Sequence, residues 1–144
     1  EKALRYSSSS YSTWGGLGAA LKEMNSKKVA QEAFAKAAAL AEEELKVNSN
    51  DVGVISQLAG FYADLGKKVE ALSMVQKSLA LGSNNGLVFR RAASTFELLG
   101  DRKQALEMLD KAVKKNAPLT EMKYSPEMKS LREDPRYKQI TKGR

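Results

Sequence analysis

Cysteine and histidine are both missing from this 144-residue chain. Disulfides, thiol nucleophiles and zinc sites built from these ligands are therefore excluded. The lack of histidine also removes the commonest general base, and no nucleophile in the sequence has another evident base beside it. We therefore expect neither enzyme activity nor a bound metal or cofactor.

Long apolar runs, prolines and aromatic residues are also scarce. No stretch of about 18 apolar residues occurs, so no segment is expected to insert into a membrane, and the chain has three prolines and 7% aromatic residues. A composition of 42% hydrophobic and 28% charged residues is typical of one soluble helical domain, for which we expect a cytoplasmic location. The chain starts at Glu1 without a methionine, and we expect it to be a piece of a longer protein.

The formal net charge is +7, and residues 101–144 supply most of it. A basic segment of this kind could steer a protein toward nucleic acid or an anionic surface. Acidic residues are interleaved with the basic ones throughout the segment, which favours a solvated surface of mixed sign. Nucleic-acid binding is therefore the less favoured of these two interpretations.

What the sequence does contain is a repeat. A lysine followed by Ala or Ser recurs at spacings of 34, 41 and 34 residues, and a turn residue and an alanine recur with the steps 41 and 34. A fixed period in this range predicts stacked supersecondary units, each of which buries its apolar face against its neighbour. The repeated positions are Lys2-Ala3, Lys36-Ala37, Lys77-Ser78 and Lys111-Ala112; Asn25, Gly66 and Gly100; and Ala30, Ala71 and Ala105.

Each unit carries two apolar stripes with helical spacing, and a residue suited to a left-handed turn separates them. Asn25, Gly66 and Gly100 are these turn residues in the three units. Small residues recur where the two helices of a unit would cross, because larger side chains would push the axes apart. These crossing positions are Gly18, Ala59, Ala93, Ala30, Ala71 and Ala105.

The step from the first unit to the second is seven residues longer than the next step. Seven residues make nearly two helical turns, so an apolar face shifts by only roughly 20° across them. An apolar stripe does continue through this region, at Val29, Ala33, Ala37, Ala41 and Leu45. We therefore predict a second helix that is lengthened by about 10 Å and ends near Lys46.

The motif Trp14-x2-Leu17-Gly18-x2-Leu21, followed by Ala30-x3-Phe34, resembles the tetratricopeptide signature. The resemblance implies an all-α fold, a tetratricopeptide α-solenoid in which antiparallel helix pairs form a right-handed superhelix. It places three units at residues 11–51, 52–85 and 86–119. Residues 1–10 are expected to be the tail of a truncated preceding repeat and a turn, because Lys2-Ala3 is in register with the closing half of a unit.

Residues 120–144 are predicted to form capping helices. Ser125-Pro126 and Asp134-Pro135 each combine a helix N-cap with proline at the first helical position. The residues expected to cover the last repeat are Met128, Leu131, Tyr137 and Ile140. This segment is similar to the closing segment of tetratricopeptide regions in bacterial multidomain signalling proteins, such as serine/threonine kinases, nucleotide cyclases and winged-helix regulators. That similarity implies a bacterial origin and an upstream effector domain.

Tetratricopeptide units line a concave groove with their first helices, and this groove is the expected binding surface for a peptide or helix of another protein. An equally weighted interpretation is that the small residues there only permit tight curvature. Self-association and docking on the chain's own upstream domain are the alternative functions. The predicted groove residues are Ser12, Gly15, Ala19, Lys22, Ser56, Gly60, Ala63, Arg90, Ser94 and Glu97.

Overall fold

The computed structural model describes residues 10–144, and these residues form nine α-helices, one short 3-10 helix and no strand. Six longer helices come first and form three hairpins, and the helices of each hairpin pack on one another. They are α1 (Tyr11–Glu23), α2 (Lys27–Val47), α3 (Val52–Asp64), α4 (Lys68–Leu81), α5 (Gly86–Leu98) and α6 (Arg102–Lys114). The predicted units 11–51, 52–85 and 86–119 each hold two of these helices, and residues 1–9 of the tail expected at 1–10 lie outside the described residues.

The three hairpin turns share one geometry. Asn25, Gly66 and Gly100 have positive φ angles of 61°, 77° and 81°, which confirms the predicted left-handed turns. In each turn this residue and the next donate backbone hydrogen bonds to carbonyls of the preceding helix, such as Lys67 N to Tyr62 O at 2.8 Å. These bonds satisfy carbonyl groups that the end of a helix leaves without partners.

Helix α2 has 21 residues and α4 has 14, which confirms the predicted lengthening of the second helix. The extra turns pack against α3, where Leu45 joins the apolar cluster and the Tyr62 hydroxyl donates to Glu42. The predicted stripe is wrong at its first position, because Val29 is exposed and its neighbour Ala30 is buried. The buried face therefore starts one residue later than the four-residue spacing indicated.

Small residues occupy the predicted helix crossings. Ala59 and Ala93 on α3 and α5 are fully buried, and so are Ala71 and Ala105 on α4 and α6. Gly18 is buried against the ring of Phe34 on α2. A larger residue at any of these positions would have to displace the facing helix.

The C-terminal segment contains α7 (Thr120–Tyr124), the 3-10 helix (Pro126–Met128), α8 (Lys129–Glu133) and α9 (Pro135–Ile140). Asp134 caps α9 by accepting a hydrogen bond from the Arg136 N–H, whereas the Ser125 side chain makes no capping bond. The predicted cover is confirmed: Met128, Leu131 and Tyr137 are buried in the cluster that includes residues of α5 and α6, and Ile140 packs against it. The 3-10 helix also contacts α1, which the sequence did not predict. Among the described residues, none of the helices combines the length and apolar character needed to cross a bilayer.

Candidate functional site

A cavity of about 420 Å³ lies along α1, α3 and α5, the first helices of the three hairpins. Parts of the C-terminal segment form another wall of this cavity, namely Glu121, Ser125, Glu127 and Met128. One face of each first helix therefore contributes to a single concave surface. The C-terminal segment borders that surface and does not simply extend the chain beyond α6.

Six of the ten predicted groove residues line this cavity, and four do not. The other four are placed as follows: Ser56 is buried, Ala63 is half-buried, and Lys22 and Glu97 take part in ion pairs. The six lining residues are Ser12, Gly15, Ala19, Gly60, Arg90 and Ser94. Whether these residues contact a partner remains a prediction.

Arg90 is held by the chain itself. Its side chain is buried, and it donates to the carbonyl of Pro118 at 3.1 Å and to the carboxylate of Glu121 on α7. These bonds tie α5 to the beginning of the C-terminal segment. Arg90 is one of the predicted groove residues, and its guanidinium already has internal partners.

Glu97 is also paired within the chain. Arg102 donates to both of its carboxylate oxygens, Nε to Oε1 at 2.7 Å and a terminal nitrogen to Oε2 at 2.6 Å. The same guanidinium donates to Asp134 at 3.1 Å and to Ser130 Oγ at 3.0 Å. Hydrogen bonds from Arg136 and from Arg102 hold the pKa of Asp134 well below its ordinary value. This network joins α5 and α6 to the short C-terminal helices.

Lys22 binds two carboxyl groups from distant parts of the chain. Its Nζ lies 3.0 Å from Asp64 Oδ1 at the end of α3 and 2.7 Å from Glu127 Oε2 in the 3-10 helix. Burial, together with the neighbouring Glu127 carboxyl, raises the pKa of Asp64 to about 8, although Lys22 partly offsets this effect. The pair of carboxyl groups therefore keeps a proton to a higher pH than a free carboxyl group does.

Several polar cavity residues were missed by the sequence reasoning. Ser12 Oγ donates to Gln57 Oε1 at 3.2 Å, and Arg91 donates to Ser56 Oγ at 3.1 Å and to the Gly53 carbonyl at 3.3 Å. Burial lowers the pKa of Arg91. A helical stripe could have identified part of this set, because Gln57, Gly60 and Asp64 are spaced i, i+3 and i+7 along α3.

Many basic side chains of residues 101–144 have partners inside the protein. Arg132 donates to the carbonyls of Met122 and Ser125 at 2.8 and 2.6 Å, and Arg136 binds Asp134. These arginines stabilise the C-terminal segment, and they are not available as a row of unpaired cations for phosphates. The interpretation of the whole segment as a solvated surface of mixed sign remains a prediction.

No protein-family model matches the chain, and a comparison with curated proteins finds no match either. The cavity, its lining and its charges are therefore the features that bear on function.

Proposed function

We propose that this protein is an interaction module that binds a peptide or a helix of another protein in its concave surface. In this proposal the three hairpins are tetratricopeptide units of a right-handed α-solenoid, and residues 120–144 cap the last unit. The observation that carries the proposal is that α1, α3 and α5 each contribute one face to the same cavity. A repeat architecture builds a binding surface in this way, by aligning corresponding helices.

The lining of the cavity suits a polypeptide ligand. Gly16, Ala19 and Gly60 carry little or no side chain, so a ligand can approach the helix backbones closely at these positions, whereas Gly15 is covered by the ring of Phe61. A volume of about 420 Å³ lies within the range of roughly 300 to 1,000 Å³ that is common for ligand sites. Because packed helices form the cavity in advance, little conformational entropy would be lost when it is filled.

Affinity should come mainly from burial of the ligand and less from the three charged residues that the sequence indicated. Lys22, Arg90 and Glu97 all have internal ion-pair partners, and a ligand that took Lys22 would leave the nearly buried carboxyl groups of Asp64 and Glu127 without theirs. Arg91 is the more available polar group, since its bonds are to a hydroxyl and a carbonyl, and none of the described carboxylates pairs with it.

A tryptophan placed in the cavity tests the proposal. Gly60→Trp should fold without a clash at its Cβ, because this atom would lie 3.6 Å from the nearest atom, Thr95 Oγ1. The indole ring would then fill the open space of the cavity. Ser73→Trp on the exposed face of α4 is the matched control. Peptides selected on the unmodified chain from a phage-displayed random library should lose at least about tenfold in affinity for Gly60→Trp and none for Ser73→Trp.

Selected peptides that bind both variants equally well would place the binding surface elsewhere and overturn the proposal. Circular dichroism of the two variants shows that each has kept its helices. Self-association remains the alternative function, and light scattering over a range of protein concentrations distinguishes it. A concentration-dependent dimer that Gly60→Trp dissociates would favour this alternative over peptide capture.

The similarity of residues 125–137 to bacterial signalling proteins supports a further part of the proposal. In it, the chain is the C-terminal part of a larger bacterial regulatory protein, and the cavity recognises a protein of the same pathway or the protein's own upstream domain. The full-length reading frame tests this part directly, because an upstream effector domain is expected and its absence would contradict it.

A further inference from the structure

Three charged side chains from three separate elements meet beside the cavity. Lys22 comes from the last turn of α1, Asp64 from the last residue of α3, and Glu127 from the 3-10 helix. The two carboxyl side chains are nearly buried, with 5% and 13% of their surface exposed, and they share one ammonium group. This cluster therefore fastens the C-terminal segment to α1 across 105 residues of sequence.

The charges of this cluster do not balance when both carboxyl groups are ionised. Two carboxylates and one ammonium leave one negative charge in a largely dry place, where an unpaired charge is costly. One proton shared between Asp64 and Glu127 removes that excess and supplies a hydrogen bond between the two groups. With the proton the cluster is neutral, and without it the carboxylates repel each other.

No described cation from a neighbouring element compensates for the second carboxylate through an ion pair. Helix α5 contributes Arg90, which pairs with Glu121 of α7, and Arg91, which donates to Ser56 and Gly53. Helix α2 contributes the neutral Gln31, whose amide donates to the Asp64 carbonyl at 2.8 Å. The charge of the cluster thus depends on the proton.

We propose that Lys22, Asp64 and Glu127 form a proton-operated clasp that controls the width of the concave cavity. With one proton on the carboxyl pair, the clasp holds the 3-10 helix against α1. Loss of the proton loosens that contact, and the wall formed by Ser125 and Glu127 moves away from α1. The movement is small and confined to the rim of the cavity around Ser125 and Glu127, because Met122, Met128 and Leu131 are buried and keep the segment attached to the helices beneath.

The pKa of Asp64, raised by burial and by Glu127 to about 8, puts the opening just above neutral pH. A ligand that needs the wider cavity would bind better on the alkaline side of this value. A ligand that fits the closed cavity would bind better on the acid side. The clasp would therefore couple ligand binding to proton release or uptake.

The absence of cysteine allows a direct test, because two introduced cysteines are the only labelling sites. Glu23→Cys and Pro126→Cys place spin labels on exposed positions of α1 and of the 3-10 helix. Electron paramagnetic resonance should show one short, narrow distance distribution at pH 6.5. A longer or broader population should grow severalfold by pH 9.5, with a midpoint about pH 8.

Two substitutions isolate the carboxyl pair. Asp64→Asn and Glu127→Gln each remove one ionisable group at nearly constant shape, so both should keep the short distance at pH 9.5. Asp110→Asn is the control, because this carboxyl pairs with Lys114 on the exposed face of α6, and it should leave the pH response unchanged. Using two variants keeps the test valid if one of them fails to fold.

A distance distribution that is the same at both pH values in the unmodified background would overturn the proposal. It would also be overturned if the label-to-label distance in Asp64→Asn and in Glu127→Gln increased with pH as it does in the parent. Far-UV circular dichroism at pH 9.5 must show intact helices, and a loss of helix there would mean unfolding and not a clasp. These readouts need no ligand, so they can fail while the proposed interaction function stands.

Discussion

The ring of Phe34 lies directly against the backbone of Gly18, and a Cβ at Gly18 would come within 2.8 Å of two ring carbons. Both residues are buried where α1 crosses α2. Gly18→Ala should therefore lower the free energy of unfolding by about 1 to 3 kcal/mol through overpacking. Gly16→Ala is the matched control, because a Cβ there would meet no atom within 4 Å. Alanine suits a helix better than glycine, so this control should gain about 0.5 to 1 kcal/mol in urea unfolding.

The left-handed turns give a second prediction. Gly66→Ala should lower the free energy of unfolding by about 1 to 2 kcal/mol, because a Cβ is disfavoured at the φ of 77° found there. Asn25→Gly, in the equivalent turn, should be neutral or stabilising, since glycine adopts the φ of 61° without strain. Thermal unfolding measures both changes, and a loss of stability in Asn25→Gly would mean that the asparagine side chain contributes more than its backbone conformation.

The Arg102 network gives a third prediction. Lysine cannot reproduce the forked contact with Glu97, whose side chain is 11% exposed, so Arg102→Lys should cost about 1 to 3 kcal/mol. Lys114→Gln removes an exposed pair with Asp110 and should cost less than about 0.5 kcal/mol. Urea unfolding provides both values. Equal losses in the two variants would show that the forked contact adds no more than a surface ion pair.

Asp64 gives a prediction on pH. Its pKa is about 8 in the folded protein and near the ordinary 3.8 when unfolded, so the folded state binds more protons between these values. Its contribution to stability is complete below about pH 4 and is lost as pH rises toward 8. The free energy of unfolding of the parent should therefore fall by at least about 1.4 kcal/mol relative to Asp64→Asn over this range. The free energy of unfolding of Asp110→Asn should change with pH as that of the parent does. If Asp64→Asn showed the same pH dependence as the parent, the effect could not be assigned to Asp64.

Tyr137 gives the last prediction. Its hydroxyl is buried and has no hydrogen-bond partner among residues 10–144, and burial raises its pKa. A buried donor without a partner is destabilising, so Tyr137→Phe should leave the free energy of unfolding unchanged or raise it by up to about 1 kcal/mol. Tyr124→Phe, at a side chain that is 77% exposed, should have no effect. A clear loss in Tyr137→Phe would reveal a partner for the hydroxyl.

The parts of the fold that the sequence predicted are those that local chemistry determines. Asn25, Gly66 and Gly100 mark turns because few other residues tolerate a positive φ, and the small residues at the crossings follow from close approach of two helices. The extension of α2 could be predicted because the period of the repeat changed by a known number of residues. None of these inferences needed a contact between distant segments.

The candidate site could be predicted only in part, because one of its walls comes from the C-terminal segment, which reaches the cavity through contacts between residues far apart in the sequence. The sequence placed Lys22 in the groove and Glu127 in the capping segment, and no period connects positions 105 apart. Arg90 looked like a free cation in the groove, since Glu121 belongs to a segment that was assigned only to covering the last repeat. The sequence identified helix faces but could not show that the C-terminal segment folds back over one of them.

The contact between the 3-10 helix and α1 also has a consequence for unfolding. A chain whose hairpins contact only their neighbours can fray from either end, one hairpin at a time. Here α1 cannot detach without breaking the Lys22–Glu127 pair, and the 3-10 helix cannot detach without breaking the same pair. Unfolding of α1 therefore also removes a contact of the 3-10 helix, so we expect these two parts of the described chain to unfold together.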